Sequence, residues 1–184
     1  MAKLKQTNQL ENHRLLLRPI KLSDCTLRYL GWLQDPQINK YLETRWAEQT
    51  LESIKAFVVS KIQSESEYLF AIVEKETSQH IGNIKIGPVN SHHKYADVSY
   101  FIGEKSCWGK GYATEAIRLI TRFGFEELGL FKVQAGVYEN NIGSIKALEK
   151  VGFVQEGCLR KQLLSNGDRE DHLLFGIFED EVRG

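Results

Sequence analysis

Residues 103–116 read G-E-K-S-C-W-G-K-G-Y-A-T-E-A, from Gly103 to Ala116. Gly109 and Gly111 stand just before a run in which Ala116, Ile117, Ile120, Phe123 and Gly124 share one helical face. The spacing predicts a helix over residues 113–128, with Gly129 as its C-terminal stop. Glycine lets the backbone take positive φ and approach a ligand closely. A helix N-terminus adds unpaired N–H groups and the positive end of its dipole. Together they form a cradle for a phosphate or pyrophosphate. The same letters could also be a plain turn.

Three cradles compete. A P-loop requires G-x-x-x-x-G-K-[S/T], but Gly103 lies one residue too far from Gly109-Lys110, and Gly111 stands where Ser or Thr belongs. A dinucleotide fingerprint accepts Gly109 and Gly111 but meets Thr114 at its third position. Its glycines also belong directly after a strand, although Glu139 could imitate the ribose-binding acid. The third pattern, R/Q-x-x-G-x-G/A, runs over Trp108-Gly109-Lys110-Gly111-Tyr112-Ala113 and departs only at its first position, where Trp108 stands in place of Arg or Gln.

Working outward, residues 14–20 read as a strand, and Ser23 and Asp24 as caps of a helix over 25–33 stopped by Asp35-Pro36. Thr50 caps a second helix with Leu51, Ile54, Val58 and Ile62 on its buried face. Residues 68–74 and 81–86 read as a hairpin, and 95–102 as a further strand. After the glycine loop and its helix come a strand at 131–138, a short helix at 144–150 ended by Gly152, and strands at 153–162 and 173–178. Asn166-Gly167 is a hairpin-turn signal between the last two. This order predicts an α/β arrangement: a mixed sheet of about seven strands flanked by helices, in one domain over residues 1–184.

Bulk properties narrow the function. The chain has 184 residues, 42% of them hydrophobic, and a formal net charge of zero. That lowers the expectation of a nucleic-acid partner. Cys25, Cys107 and Cys158 are far apart and form no C-x-x-C pair, so neither a disulfide framework nor a metal site is expected. His92 and His93 read as turn residues. The polar residues 1–12 carry no apolar signal core, and no run suits a bilayer, so the expected location is the cytoplasm.

A second motif follows the first at a fixed distance: Asn141-x-x-Ser144, then Leu148-Glu149-Lys150-Val151-Gly152-Phe153. With Trp108–Ala113 it resembles the GNAT superfamily of N-acetyltransferases, and W-G-K-G-Y-A-T-E-A resembles the branch that acts on ribosomal-protein N-termini. His93-x-x-Ala96-Asp97 and residues 14–19 resemble further parts of that branch. The resemblance implies a largely antiparallel twisted sheet splayed at the acyl-CoA site. It implies acetyl-CoA as co-substrate, bound by Phe101, Ile102 and Gly103 along the strand, by Trp108, Gly109, Lys110, Gly111, Tyr112, Ala113 and Thr114 in the loop, and by Asn141 and Ser144. Ser144 would protonate the departing thiolate, because the tyrosine used elsewhere in the superfamily is Leu148 here. Leu163 stands near the place of a glutamate base, which makes Asp97 the first candidate for that role. Glu43 and Arg45 are candidate acceptor contacts.

Each has a plainer reading: Trp108 as packing, Ser144 and Asn141 as helix caps, Asp97 as a solvated strand residue, Glu43 and Arg45 as a surface pair. The acceptor would be a primary amine, either a protein N-terminus or a small amine such as an amino-sugar nucleotide. A silent acyl-CoA-binding module is the different-class alternative. No membrane partner is expected, and a homodimer is allowed.

Overall fold

Among the described residues, eight strands form one sheet in the order β1-β2-β3-β4-β5-β6-β8-β7. They are β1 (Leu10–Glu11), β2 (Leu15–Pro19), β3 (Tyr68–Glu74), β4 (Gln79–Ile86), β5 (Tyr95–Ile102), β6 (Lys132–Tyr138), β7 (Val154–Ser165) and β8 (Asp168–Ile177). The four α-helices are α1 (Leu27–Gln34), α2 (Leu51–Gln63), α3 (Tyr112–Glu126) and α4 (Ile142–Val151). This computed structural model describes residues 9–165 and 167–184. Asn166 of the expected hairpin turn, and residues 1–8 of the polar stretch, lie outside them.

The count is one strand above expectation. Two residues, Leu10 and Glu11, pair with Leu17 and Leu16 inside what reads as a polar stretch. The first helix also starts later than its letters suggest. The Asp24 carboxylate is taken by Arg18 (2.7 and 2.8 Å) and by the Lys21 N–H (2.8 Å), which closes a single 3-10 turn over Leu22–Asp24. Thr26 then caps α1, accepting from the Tyr29 N–H at 3.3 Å. Thr50 caps α2 as expected, in a reciprocal box with Ser53. Ile54 and Val58 of its stripe are buried, whereas Ile62 in its last turn is exposed.

The sheet has a core on each face. On one, Ala116, Ile117 and Ile120 of α3 and Leu148 and Val151 of α4 pack on Leu17, Phe70, Ile84, Val98 and Val137. On the other, Tyr29 and Trp32 of α1 and Ile54 and Val58 of α2 pack on Leu69, Ala71 and Val73. Burying each such large side chain contributes about 1.5–3 kcal/mol.

All neighbouring strands run antiparallel except β5 and β6. Their parallel contact is short: Tyr95↔Lys132, Ala96↔Val133 and Asp97↔Gln134. Beyond it, β5 continues to Ile102 against β4 and β6 to Tyr138 against β8. The sheet therefore opens between them.

Candidate active site

The glycine loop connects the end of β5 to α3. Gly109 (φ +72°) and Gly111 (φ +85°) both take the left-handed backbone that other residues avoid, and Gly111 is the N-cap of α3. The first-turn N–H groups of Tyr112, Ala113 and Thr114 have no partner within the helix. Side chains brace the loop from behind. Arg14 donates to the Lys110 carbonyl at 3.0 Å, pairs with Glu115 and lies 4.6 Å from the Tyr112 ring. The Tyr112 hydroxyl donates to Glu74. Trp108 is exposed but tethered, its indole N–H donating to the Ile102 carbonyl at 2.8 Å.

Gly103, first in the quoted stretch, is needed for another reason. A Cβ there would come within 2.2 Å of the Trp32 ring.

The free edge of β5 can be worked out from its ladder. Gly87 N–H donates to Asp97 O and Gly103 N–H to Ile81 O, each at 2.8 Å. Antiparallel pairs alternate, so Asp97, Ser99, Phe101 and Gly103 turn their backbone groups towards β4. Those of Tyr100 and Ile102, beyond the last position paired with β6, face the opening. Of the three strand residues expected at the cofactor, Phe101 and Gly103 turn their backbone groups to β4, whereas the Ile102 N–H points away from it.

A cavity of about 850 Å³ occupies the opening and the α1–α2 side of the sheet. Val98, Tyr100, Phe101, Asn141 and Ser144 line it, together with Glu43, Tyr138 and His172. Ser144, in the first turn of α4, meets the Tyr100 hydroxyl at 2.5 Å. Burial pushes the Tyr100 phenol up to about 12, against the opposing pull of Ser144. The phenol therefore keeps its proton at neutral pH, and either hydroxyl can donate in this bond. Asn141 is the N-cap of α4, its side-chain oxygen accepting from the Ser144 N–H at 3.3 Å.

Glu43 and Arg45 meet on one phenol. The Tyr138 hydroxyl donates to Glu43 at 2.6 Å and accepts from Arg45 at 2.9 Å. Trp46 donates to the second Glu43 oxygen at 3.2 Å, and Arg45 reaches the Leu164 carbonyl at 2.7 Å. Burial and Glu43 together push the Tyr138 phenol up to about 12. Glu43 lines the cavity while Arg45 stands behind it. Asp97 is apart from this group. It sits where β5 and β6 part, outside the cavity lining, and accepts from the Gln134 side-chain amide at 3.1 Å. Leu148 is fully buried in the core.

Sequence reasoning missed Tyr100, Tyr138, Asn83 and His172. No spacing rule ties residue 100 to 144, or 43 to 138. Those contacts arise where the first turn of α4 meets β5 and where the segment after α1 meets β6.

The comparisons with known proteins agree with this geometry. The profile of the acetyltransferase (GNAT) domain family matches residues 14–154. The chain belongs to the GNAT family of N-acetyltransferases. Over 177 residues it is 29% identical to an uncharacterized N-acetyltransferase, p20, of Bacillus licheniformis, covering 95% of this chain and 98% of that one. It is 28% identical over 172 residues to the spermidine N(1)-acetyltransferase of Escherichia coli, covering 92% and 88%. Among solved structures, the spermidine N-acetyltransferase of Vibrio cholerae with CoA and spermine superposes with a TM-score of 0.80 at 23% identity, over 92% and 98% of the two chains. This GNAT chain thus has the family's acyltransferase fold. Among its described residues no helix is long and apolar enough to cross a membrane.

Proposed function

We propose that this protein transfers an acetyl group from acetyl-CoA to a primary amine, by direct attack while both are bound. The observation that carries the reading is the parting of β5 from β6 at Asp97/Gln134, with the glycine loop at its end and Ser144 on its rim. The N–H groups at the start of α3, with the left-handed glycines before them, suit a pyrophosphate. The free backbone edge of Tyr100 and Ile102 suits the amide-bearing arm and the thioester carbonyl. Positioning and fixed dipoles then do most of the catalytic work. As the carbon–sulfur bond breaks, the Ser144 hydroxyl protonates the thiolate, with the Tyr100 phenol behind it.

The acceptor we favour carries a carbonyl oxygen beside its amine, as a protein N-terminus does. Asn83, 3% exposed, lines the cavity, and its Nδ2 group has no hydrogen-bond partner among the described residues. Its Oδ1 is 2.9 Å from His80 Nε2, which is also 2.9 Å from the Gly82 carbonyl, so that imidazole nitrogen carries a proton and the amide orientation is fixed. Burial drives the Tyr29 phenol beside it upwards; Asn83 pulls the other way without reaching hydrogen-bond geometry. A buried N–H left without an acceptor costs about 1–3 kcal/mol, which a substrate oxygen would remove.

A small polyamine is the second reading, supported by the spermidine-acetylating relative and by the Glu43 carboxylate at the cavity wall. Thermal unfolding with acetyl-CoA, CoA and NAD in parallel tests the cofactor. At 100 times Kd a true ligand adds about 2.7 kcal/mol. Stabilisation by the CoA pair alone supports the reading, and acetylation assays on peptides, polyamines and amino-sugar nucleotides then choose the acceptor. No stabilisation by saturating CoA overturns it, and binding without turnover on any amine supports a silent module.

A further inference from the structure

The reaction needs a group that takes the amine's proton, and that role is open: Leu163 stands near the place of the family's glutamate, and Asp97 is engaged outside the cavity. Building on the acetyltransferase reading, we propose that His172 is the general base, acting through Nε2 over Gly136. His172 lies on β8, Cα to Cα with Tyr138 of β6 and Leu159 of β7.

Its ring covers Gly136 so closely that a Cβ built there would be 2.1 Å from His172 Nε2. Gly136 is on β6, the strand that borders the opening, and both residues line the cavity. The missing side chain at residue 136 is what lets an imidazole reach from the next strand to the edge where the thioester carbonyl would lie.

The other ring nitrogen is held. His172 Nδ1 is 3.0 Å from Gln162 Oε1. An amide oxygen at that contact assigns the proton to Nδ1 and leaves the Nε2 lone pair for the cavity. This is the arrangement of a base oriented by its neighbour. The charged side chains of the cavity lining are engaged: the Glu43 oxygens accept from Tyr138 and Trp46, and Lys85 pairs with Glu67.

The protons balance. An ammonium acceptor gives one proton to Nε2, which passes it to solvent. The neutral nitrogen attacks the carbonyl carbon, forming the carbon–nitrogen bond. The tetrahedral adduct, whose cationic nitrogen is strongly acidic, loses its second nitrogen proton to water, the carbon–sulfur bond breaks, and the thiolate takes the Ser144 proton. Ser144 is reprotonated through Tyr100 from the second proton or solvent. One proton is released per turnover.

The test compares two acceptors of one shape: an amine that acetylation assays show to be a substrate, and its hydrazide analogue, which is neutral at pH 7. For His172→Gln the expected loss in kcat/KM is 10²- to 10⁴-fold on the amine and under about tenfold on the hydrazide, with CoA stabilisation unchanged. Gln162→Leu keeps the imidazole and frees its orientation. Its expected loss is about tenfold on the amine alone, which protects the test should His172→Gln fold poorly. Equal losses on both acceptors, or no loss on the amine, overturn the assignment of His172. If the wild-type protein acetylates no amine at all, the acetyltransferase reading itself has failed.

Discussion

Tyr100→Phe isolates the hydrogen bond at the centre of the opening. It deletes one oxygen and keeps the ring against its neighbours. The bond it removes joins two hydroxyls at 2.5 Å, and burial holds the phenol up at about 12, so both hydroxyls keep their protons throughout the working pH range. A neutral buried hydrogen bond contributes about 1 kcal/mol, and for a domain of this size that lowers Tm by about 2–4 °C. If Tyr100 stiffens and recharges Ser144, the same 1–1.4 kcal/mol appears in the barrier, about a five- to tenfold loss in kcat. Ser144→Ala, which removes the acid itself, should cost about 10²- to 10⁴-fold. The decisive variant carries both changes. Groups that act as one unit are not additive, so the double variant should be no slower than Ser144→Ala. The assay is release of the CoA thiol under saturating acetyl-CoA and acceptor, with CoA affinity measured by calorimetry as control. A double variant that loses the product of the two single effects would falsify the coupling, and an unchanged kcat in Tyr100→Phe would remove the phenol from the mechanism.

Other outcomes follow from single residues. Gly111→Ala forces a side chain into φ +85° at a cost of about 1–2 kcal/mol, so CoA Kd should rise about five- to thirtyfold by calorimetry. Asn83→Ala removes the unpartnered donor, and the wild-type preference for a peptide amine over a plain alkylamine should shrink about five- to 150-fold in kcat/KM; an unchanged ratio sinks the peptide reading. Thr50→Ala removes the cap of α2, about 1 kcal/mol or 2–4 °C in Tm by calorimetric scan. For Asp24, burial alone would raise the carboxyl, but Arg18 and the Lys21 N–H outweigh it and hold it below the usual range. A depressed folded pKa stabilises above the unfolded value and is lost as pH falls through the folded one. Asp24→Asn should therefore flatten the acid limb of stability below about pH 4, measured as urea midpoint against pH.

Much of the architecture is legible because it rests on local signals. The β-prone run Tyr68–Glu74, the strand Tyr95–Ile102 and the apolar stripe of α3 are each written in consecutive letters. The glycine loop is legible for the same reason: left-handed backbone demands glycine wherever it occurs. Two errors have a common origin. Ser23 and Asp24 read as caps because their letters suit a helix start, but a partner six residues away, Arg18, claims the Asp24 carboxylate. Leu10–Glu11 is too short to show alternation and exists only through pairing with β2. The site divides along the same line. Loop residues come from one segment, whereas Tyr100 with Ser144, Tyr138 with Glu43, and His172 over Gly136 are meetings of distant segments. Such pairs leave no periodic trace in one sequence.

The junction of β5 and β6 also has a mechanical consequence. Three paired positions and the Gln134–Asp97 contact fasten two plates of sheet at one end, like the rivet of a pair of tongs. From Asp97 to the tip at Ile102 the free jaw is five residues long, about 16 Å. A turn of 5° about the rivet would therefore move the tip by about 1.4 Å, close to the length of one carbon–carbon bond. Any change of angle at the rivet would be read at the tip as a change in the width of the opening.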